Sequence, residues 1–442
     1  MSASPTHPQT FDRLNDALHA FVRVGRDGQP SVASGPLHGW NIAIKDNFDL
    51  TGEIASVGTP MFSARRGTRT ATAVQRLLDG GACIVGHTQM VELAFGGWGI
   101  NAALGTPRNP WDGRVKRVAG GSSSGSAVAV AARMVRAALG SDTAGSIRMP
   151  AALCGITGLK TSFGLIPQDG VFPLAPSYDS VGPMAQTAAD CALLFEVMTG
   201  TSLAPMSASA SASVPMPMPA PAPAPVPTHP RHGWRIAVFD SAAYPIPVEP
   251  AVQRALDEAA NSFVRLGARL RKTSPPFALA DLTRDAGTLI GAEAWELHRA
   301  RFETDPSAFG ADLQRRFEQA RAVDSGKIAT ARSARVEASE RFRRWLAADE
   351  VLLLPTVHCS APALDSVDER ASPLGQFTRW VNHVGGCALS LPAGFDALGL
   401  PVSIQLVGQA GIESRLLALG VAFQQATDWH RRVPDLAWAT SP

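Results

Sequence analysis

Ser122, Ser123, Ser124 and Ser126 crowd one Gly/Ser turn, and Ser146 sits at the tip of a second; both lie within the stretch Gly120 to Gly164. A serine hydroxyl is a poor nucleophile until a neighbouring base takes its proton, so hydrolysis at either turn needs a base from elsewhere in the chain. Histidine and lysine are both open. The histidines are scattered and none falls between the two turns, while lysine is rare: Lys45, Lys116, Lys160, Lys272 and Lys327. At pH 7 a free lysine is neutral in roughly one molecule in two thousand, but burial among apolar groups disfavours the charged form and brings the amine into the range of a general base. Of the five, Lys45 has the apolar flanks such a shift requires, in the segment Trp40 to Phe48 (WNIAIKDNF). Lys116 sits in an Arg-Val-Lys-Arg cluster and is predicted to be exposed.

These residues closely resemble the signature of the amidase signature family of serine hydrolases. Gly120, Gly121 and Ser122 match the family's GGSS turn, Asp142 to Arg148 its DTGGSIR turn, and Gly158-Leu159-Lys160 its GLK. Lys45-Asp46-Asn47 matches the family's KDN, His87 to Gly96 resembles GKTNMxEFAFG, and Leu400 to Gly408 resembles GLPVGLQLVG. The likeness is strong over residues 35–200 and recognisable over 350–425. It implies roles: Ser146 as nucleophile, Ser122 as the bridging serine after a cis peptide bond, and Lys45 as base. An oxyanion needs fixed donors, and the turn Thr143-Ala144-Gly145-Ser146 can offer successive backbone N–H groups, with Thr143, Ala144 and Gly145 the expected oxyanion and substrate-binding residues; no metal and no cofactor are expected.

Three departures stand out. Ala144 replaces the first glycine of the family's turn, so the hole is expected intact only if φ at Ala144 is negative. Thr161 stands where proline is usual, and His87 where lysine is usual; His87 is expected to be structural. Asp142 and Arg148 are expected to pair rather than to act on substrate.

The elements that must position these side chains read as α/β. Phe11 to Val24 has helical spacing, and Trp40 to Phe48 reads as a short buried strand delivering Lys45. Thr70 to Leu78 reads as a helix ended by Gly80 and Gly81, and Ala82 to Gly86 as the next strand. The apolar run Ala127 to Leu139 reads as one largely buried helix between the serine turns, and Ala185 to Met198 as another. Past residue 230, Arg235 to Phe239, Val351 to Pro355, Cys387 to Pro392 and Leu400 to Gly408 read as strands. Pro250 to Leu266 reads as a helix, with a strand starting at Gly267. Residues 280–348, rich in Arg and Glu with interspersed Trp and Phe, read as solvated helices packing by one face.

The expected architecture is an α/β/α fold around a mixed sheet. Residues 1–201 form the first part of one amidase domain, 231–442 the rest, and 202–230, reduced to Ala, Pro, Met and Ser, a disordered or polyproline-like insertion. Substrate choice is expected near Phe172 to Tyr178 and within 280–385, where the resemblance is weakest.

A net charge of +2 offers no electrostatic case for nucleic acid or an anionic membrane. Five widely spaced cysteines without a CxxC argue for reduced thiols and against zinc, and the N-terminus has no apolar core of signal-peptide length. The expectation is a cytoplasmic enzyme acting on a small carboxylic amide, with a homodimer implied only by resemblance. Three other readings compete. One is a glutaminase subunit supplying ammonia within an amidotransferase. Another is an esterase using Ser123, since Gly121 to Gly125 satisfies G-x-S-x-G, although Arg114 to Val118 makes a poor preceding strand. The last is a non-catalytic scaffold. No Gly-Lys-Ser/Thr follows the glycines, so a phosphate loop is excluded.

Overall fold

The computed structural model describes residues 8–25, 34–200, 233–369 and 374–440. The 202–230 insertion lies outside the described residues. Six strands come before it: β1 (Phe21–Val24), β2 (Asn41–Lys45), β3 (Cys83–Thr88), β4 (Ala137–Ser141), β5 (Thr157–Lys160) and β6 (Val181–Ala185). Five follow: β7 (Arg235–Phe239), β8 (Arg269–Thr273), β9 (Glu350–Pro355), β10 (Cys387–Phe395) and β11 (Pro401–Gly408). All join one 11-stranded mixed sheet in the order β1-β3-β2-β4-β6-β5-β10-β11-β9-β7-β8. Strands from either side of the insertion therefore form contiguous halves, joined where β5 runs antiparallel to β10. The parallel pairs are β2 with β3 and β4, and β7 with β8 and β9.

The helices are α1 (Pro8–Leu18), α2 (Thr72–Asp79), α3 (Ser124–Ala131), α4 (Arg148–Cys154), α5 (Ala188–Thr199) and α6 (Pro250–Arg265). After these come α7 (Leu279–Thr304), α8 (Ala311–Arg321), α9 (Ser325–Trp345), α10 (Arg379–His383), α11 (Glu413–Ala426) and α12 (Ala437–Thr440). Alternation along each strand sorts them into two layers. Ile42 and Ile44 of β2, Leu139 of β4, Leu389 and Leu391 of β10, and Ile404 and Leu406 of β11 pack with α2, α5, α6 and α11. The opposite parity, Ala43 and Ala138, packs with α1 and α3, and Leu352, Leu354, Ala388 and Val407 pack with α7, α9 and α10. The α/β/α expectation holds. A further cluster, with Phe302, Phe309 and Phe317, joins α7 and α8 to the 172–178 segment.

Two expected boundaries are corrected. The run Ala127 to Leu139 is not one helix: α3 ends at Ala131, Arg133 takes a φ of 58°, and β4 begins at Ala137. A fully buried apolar run carries no periodicity, so helix and strand look alike in it. Phe11 to Val24 likewise divides into α1 and β1, with His19 at a φ of 51° between them. All five cysteines are buried. Among the described residues no helix is long and apolar enough to cross a membrane.

Candidate active site

β2 ends at Lys45, which is fully buried with no exposed surface. Its Nζ lies 2.8 Å from Ser122 Oγ and 2.8 Å from Ser141 Oγ, with the Ser141 carbonyl at 3.5 Å. Burial lowers the pKa of the amine to about 7, against the opposing charges of Asp179 and Asp142. A neutral amine in this position has a lone pair for the Ser122 hydroxyl proton and two hydrogens for the Ser141 oxygens. Asn47 Nδ2 donates to Ser141 Oγ at 3.1 Å and fixes that hydroxyl in turn.

Ser122 stands just before α3 and is completely buried, and the peptide between Gly121 and Ser122 is cis. Ser146 stands just before α4, is 5% exposed and opens onto a cavity of about 350 Å³. The two serine turns are tied through the backbone, Ser123 N donating to Ser146 O at 3.1 Å. Thus Lys45 and Ser122 are in direct contact and Ser146 is held beside them, the two serine hydroxyls not bonding one another. Ser123 is turned away from this chemistry: its hydroxyl donates to the Ser141 carbonyl at 3.3 Å, and no strand leads into it as a nucleophile elbow needs.

The turn before α4 is organised by Asp142. Its Oδ1 accepts from Gly145 N at 2.7 Å and its Oδ2 from Ile147 N at 3.1 Å. Arg148, fully buried with it, donates to both oxygens and to Asn382 Oδ1 at 2.5 Å. The expected pairing of Asp142 with Arg148 is present. Ala144 is not among the residues of positive φ; Gly145 takes that role at 126°. A Cβ on Gly145 would meet Thr378 Oγ1 at 2.2 Å, so only glycine fits. The Gly145 N–H is committed to Asp142, which removes it from the expected oxyanion donors. Thr143, Ala144 and Ser146 keep backbone N–H groups without an acceptor among the described residues.

Sequence reading missed three contributors, Asp179, Ser141 and Asn47. Asp179 accepts from Thr143 Oγ1 at 2.5 Å and from the N–H groups of Leu174 and Ala175, and burial pushes its pKa up to about 6. Ser141 and Asn47 carry no signal of their own beyond adjacency to the turn and to Lys45. Lys160 of the GLK segment is a second buried lysine, lowered to about 8 by burial, but it donates to Thr161 O and Gly386 O and ties β5 to the entry of β10. His87 is buried with Nε2 3.2 Å from Phe48 O, and burial lowers its pKa to about 4, which fits a structural role. Lys116 is exposed.

The cavity over Ser146 is lined by Gly97 and Trp98, by Gly287 and Gly291 of α7, by Arg316 of α8, and by Arg379. A family model described as Amidase matches residues 13–417. The chain belongs to the amidase family. As such it is an enzyme that hydrolyses amide C–N bonds. It is 36% identical to the A subunit of glutamyl-tRNA(Gln) amidotransferase from Nitrosococcus oceani, over 96% of this chain and 93% of that one. Among solved structures, the corresponding amidotransferase chain from Thermotoga maritima superposes with a TM-score of 0.80 at 28% identity, covering 95% of this chain and 90% of its own. An inhibitor-bound complex described as a vestigial assembly, bearing on the origins of an s-triazine catabolic enzyme, gives 0.81 at 28%, covering 94% and 93%. The family and the α/β/α fold expected from the signature are thereby both shown.

Proposed function

We propose that this amidase cleaves a carboxylic amide through an acyl-enzyme on Ser146. Neutral Lys45 draws the Ser122 proton, Ser122 draws that of Ser146, and the Ser146 oxygen attacks the amide carbonyl. Backbone N–H groups of Thr143, Ala144 and Ser146 receive the oxyanion, each such donor lowering the barrier by about 3 kcal/mol. Ser122 then returns a proton to the leaving nitrogen, and water, deprotonated along the same path, releases the acid. The observation that carries this reading is Lys45 Nζ, buried and 2.8 Å from Ser122 Oγ.

Two acyl donors fit the mechanism: a free carboxylic amide, and glutamine in an ammonia-supplying component of an amidotransferase. The likeness to glutamyl-tRNA(Gln) amidotransferase chains over nearly the whole length supports the second better than the first. That reading brings partner subunits and a tRNA, which the near-neutral charge did not suggest. Ammonia release by the purified chain from glutamine and from simple amides separates the two. Efficient turnover of simple amides without partners favours the free amidase. Glutamine turnover that appears only with partner subunits and tRNA favours the amidotransferase. Loss of all turnover in Ser146→Ala supports the nucleophile in either case, and retained turnover removes it.

A further inference from the structure

Arg379 opens α10 and lines the same cavity as Ser146. Its place relative to the nucleophile is fixed by its neighbour: Thr378 Oγ1 donates to Ala144 O at 2.8 Å, inside the turn that carries Ser146. The guanidinium is poorly partnered. Its Nε has no acceptor among the described residues, Nη1 reaches only Thr283 O at 3.5 Å, and no described carboxylate lies within ion-pair distance. The nearby cation, Arg316, is paired with Glu369 at 2.8 Å, a carboxylate with which Arg379 itself forms no ion pair. Burial and the Arg316 charge together bring the Arg379 pKa down to about 10, still leaving the group cationic at neutral pH. On the facing helix α7, residue 287 is glycine, and a Cβ there would come within 3.4 Å of Arg379 Nη1. Backbone without side chains at Gly287 and Gly291 leaves the cavity open beside the cation.

A partly buried guanidinium without a counter-charge is an unfavourable arrangement that a ligand anion relieves, and the planar fork matches a carboxylate in two-point contact. We propose that the substrate is an amide bearing a carboxylate, and that Arg379 binds this carboxylate while Ser146 attacks the amide carbon. The proposal rests on the catalytic reading above and names the class of its substrate. Monoamides of dicarboxylic acids belong to this class, and so does glutamine.

The test compares kcat/KM for succinamate, for glutamine and for the neutral butyramide in the wild-type chain and in Arg379→Gln and Arg379→Lys. Loss of a charge-assisted contact lowers the ratio of acid amide to neutral amide by about 10- to 100-fold in Arg379→Gln, with part of the ratio restored in Arg379→Lys. Gly287→Asp, which sets a carboxylate beside Nη1, lowers the same ratio without removing the arginine and covers the case in which the Arg379 variants fail to fold. An unchanged ratio in Arg379→Gln, or in Gly287→Asp where the Arg379 variants fail to fold, overturns the proposal. The catalytic reading is monitored separately, by labelling with a neutral sulfonyl fluoride: modification at Ser146 in all variants upholds it, while modification elsewhere removes it whatever the ratio shows.

Discussion

At the scale of single residues, the proposed mechanism turns on one property: whether Lys45 holds a proton. In water its amine would be charged at pH 7 in all but roughly one molecule in two thousand; with its pKa lowered to about 7 by burial, about half the molecules carry the base form. Protonated Lys45 has no lone pair for Ser122, so kcat/KM rises with pH through about 7 and levels above it. Asp179 is close enough to hold the Lys45 value up and ionises first, through about 6, so the limb belongs to the pair. Lys45→Met abolishes this limb and lowers kcat by about two to four orders of magnitude. A pH–rate profile of both proteins checks this, and an unaltered limb in the variant would assign the titration to another group. The burial of Lys45 was legible because its flanking residues are apolar and lysine is scarce in this chain. The settings of Arg379 and Asp179 were not, since a lone arginine among many, or an Asp in a loop, reads as a solvated charge until the fold shows what surrounds it.

At the scale of elements, the turn from β4 into α4 is held by a carboxylate and a guanidinium with no exposed surface. Asp142 receives Gly145 N, Ile147 N, Arg148 and Asn382 Nδ2, and removing either charge leaves the other buried without its paired counter-charge. Arg148→Met therefore costs about 3–5 kcal/mol in unfolding free energy by denaturant titration. A loss below about 1 kcal/mol would mean the pair is dispensable. Burial alone would raise the Asp142 pKa, but Arg148 and its hydrogen bonds hold it well below the usual carboxylate range. A depressed folded-state value contributes stability above the unfolded pKa, so this contribution is fully present at neutral pH and fades as pH falls below about 4. Motif residues announced this turn in the sequence, while the strand β4 hidden inside an all-apolar run did not, because full burial erases the alternation that marks a strand.

At the scale of the molecule, Lys45, Ser122 and Ser146 come from β2 and the two turns before α3 and α4, whereas Arg379 comes from α10 beyond the insertion. The sheet order keeps the two sequence halves side by side, meeting at β5 and β10, which supports our proposal that both form one domain. The α/β grammar was legible from strand-like runs ended by glycine or proline; the joining of the halves was not, since which strands pair across 200 residues leaves no local trace. The site then stands on both halves, one carrying the proposed nucleophile and the other a wall of the cavity. The most direct measurement is rapid-quench mass spectrometry of the chain mixed with an amide substrate at pH 6, 7 and 8. The account predicts an acyl adduct on the peptide containing Ser146, formed faster as pH rises and undetectable in Lys45→Met over the same interval. An adduct on Ser123, or one on Ser146 that forms as fast without Lys45, would contradict it.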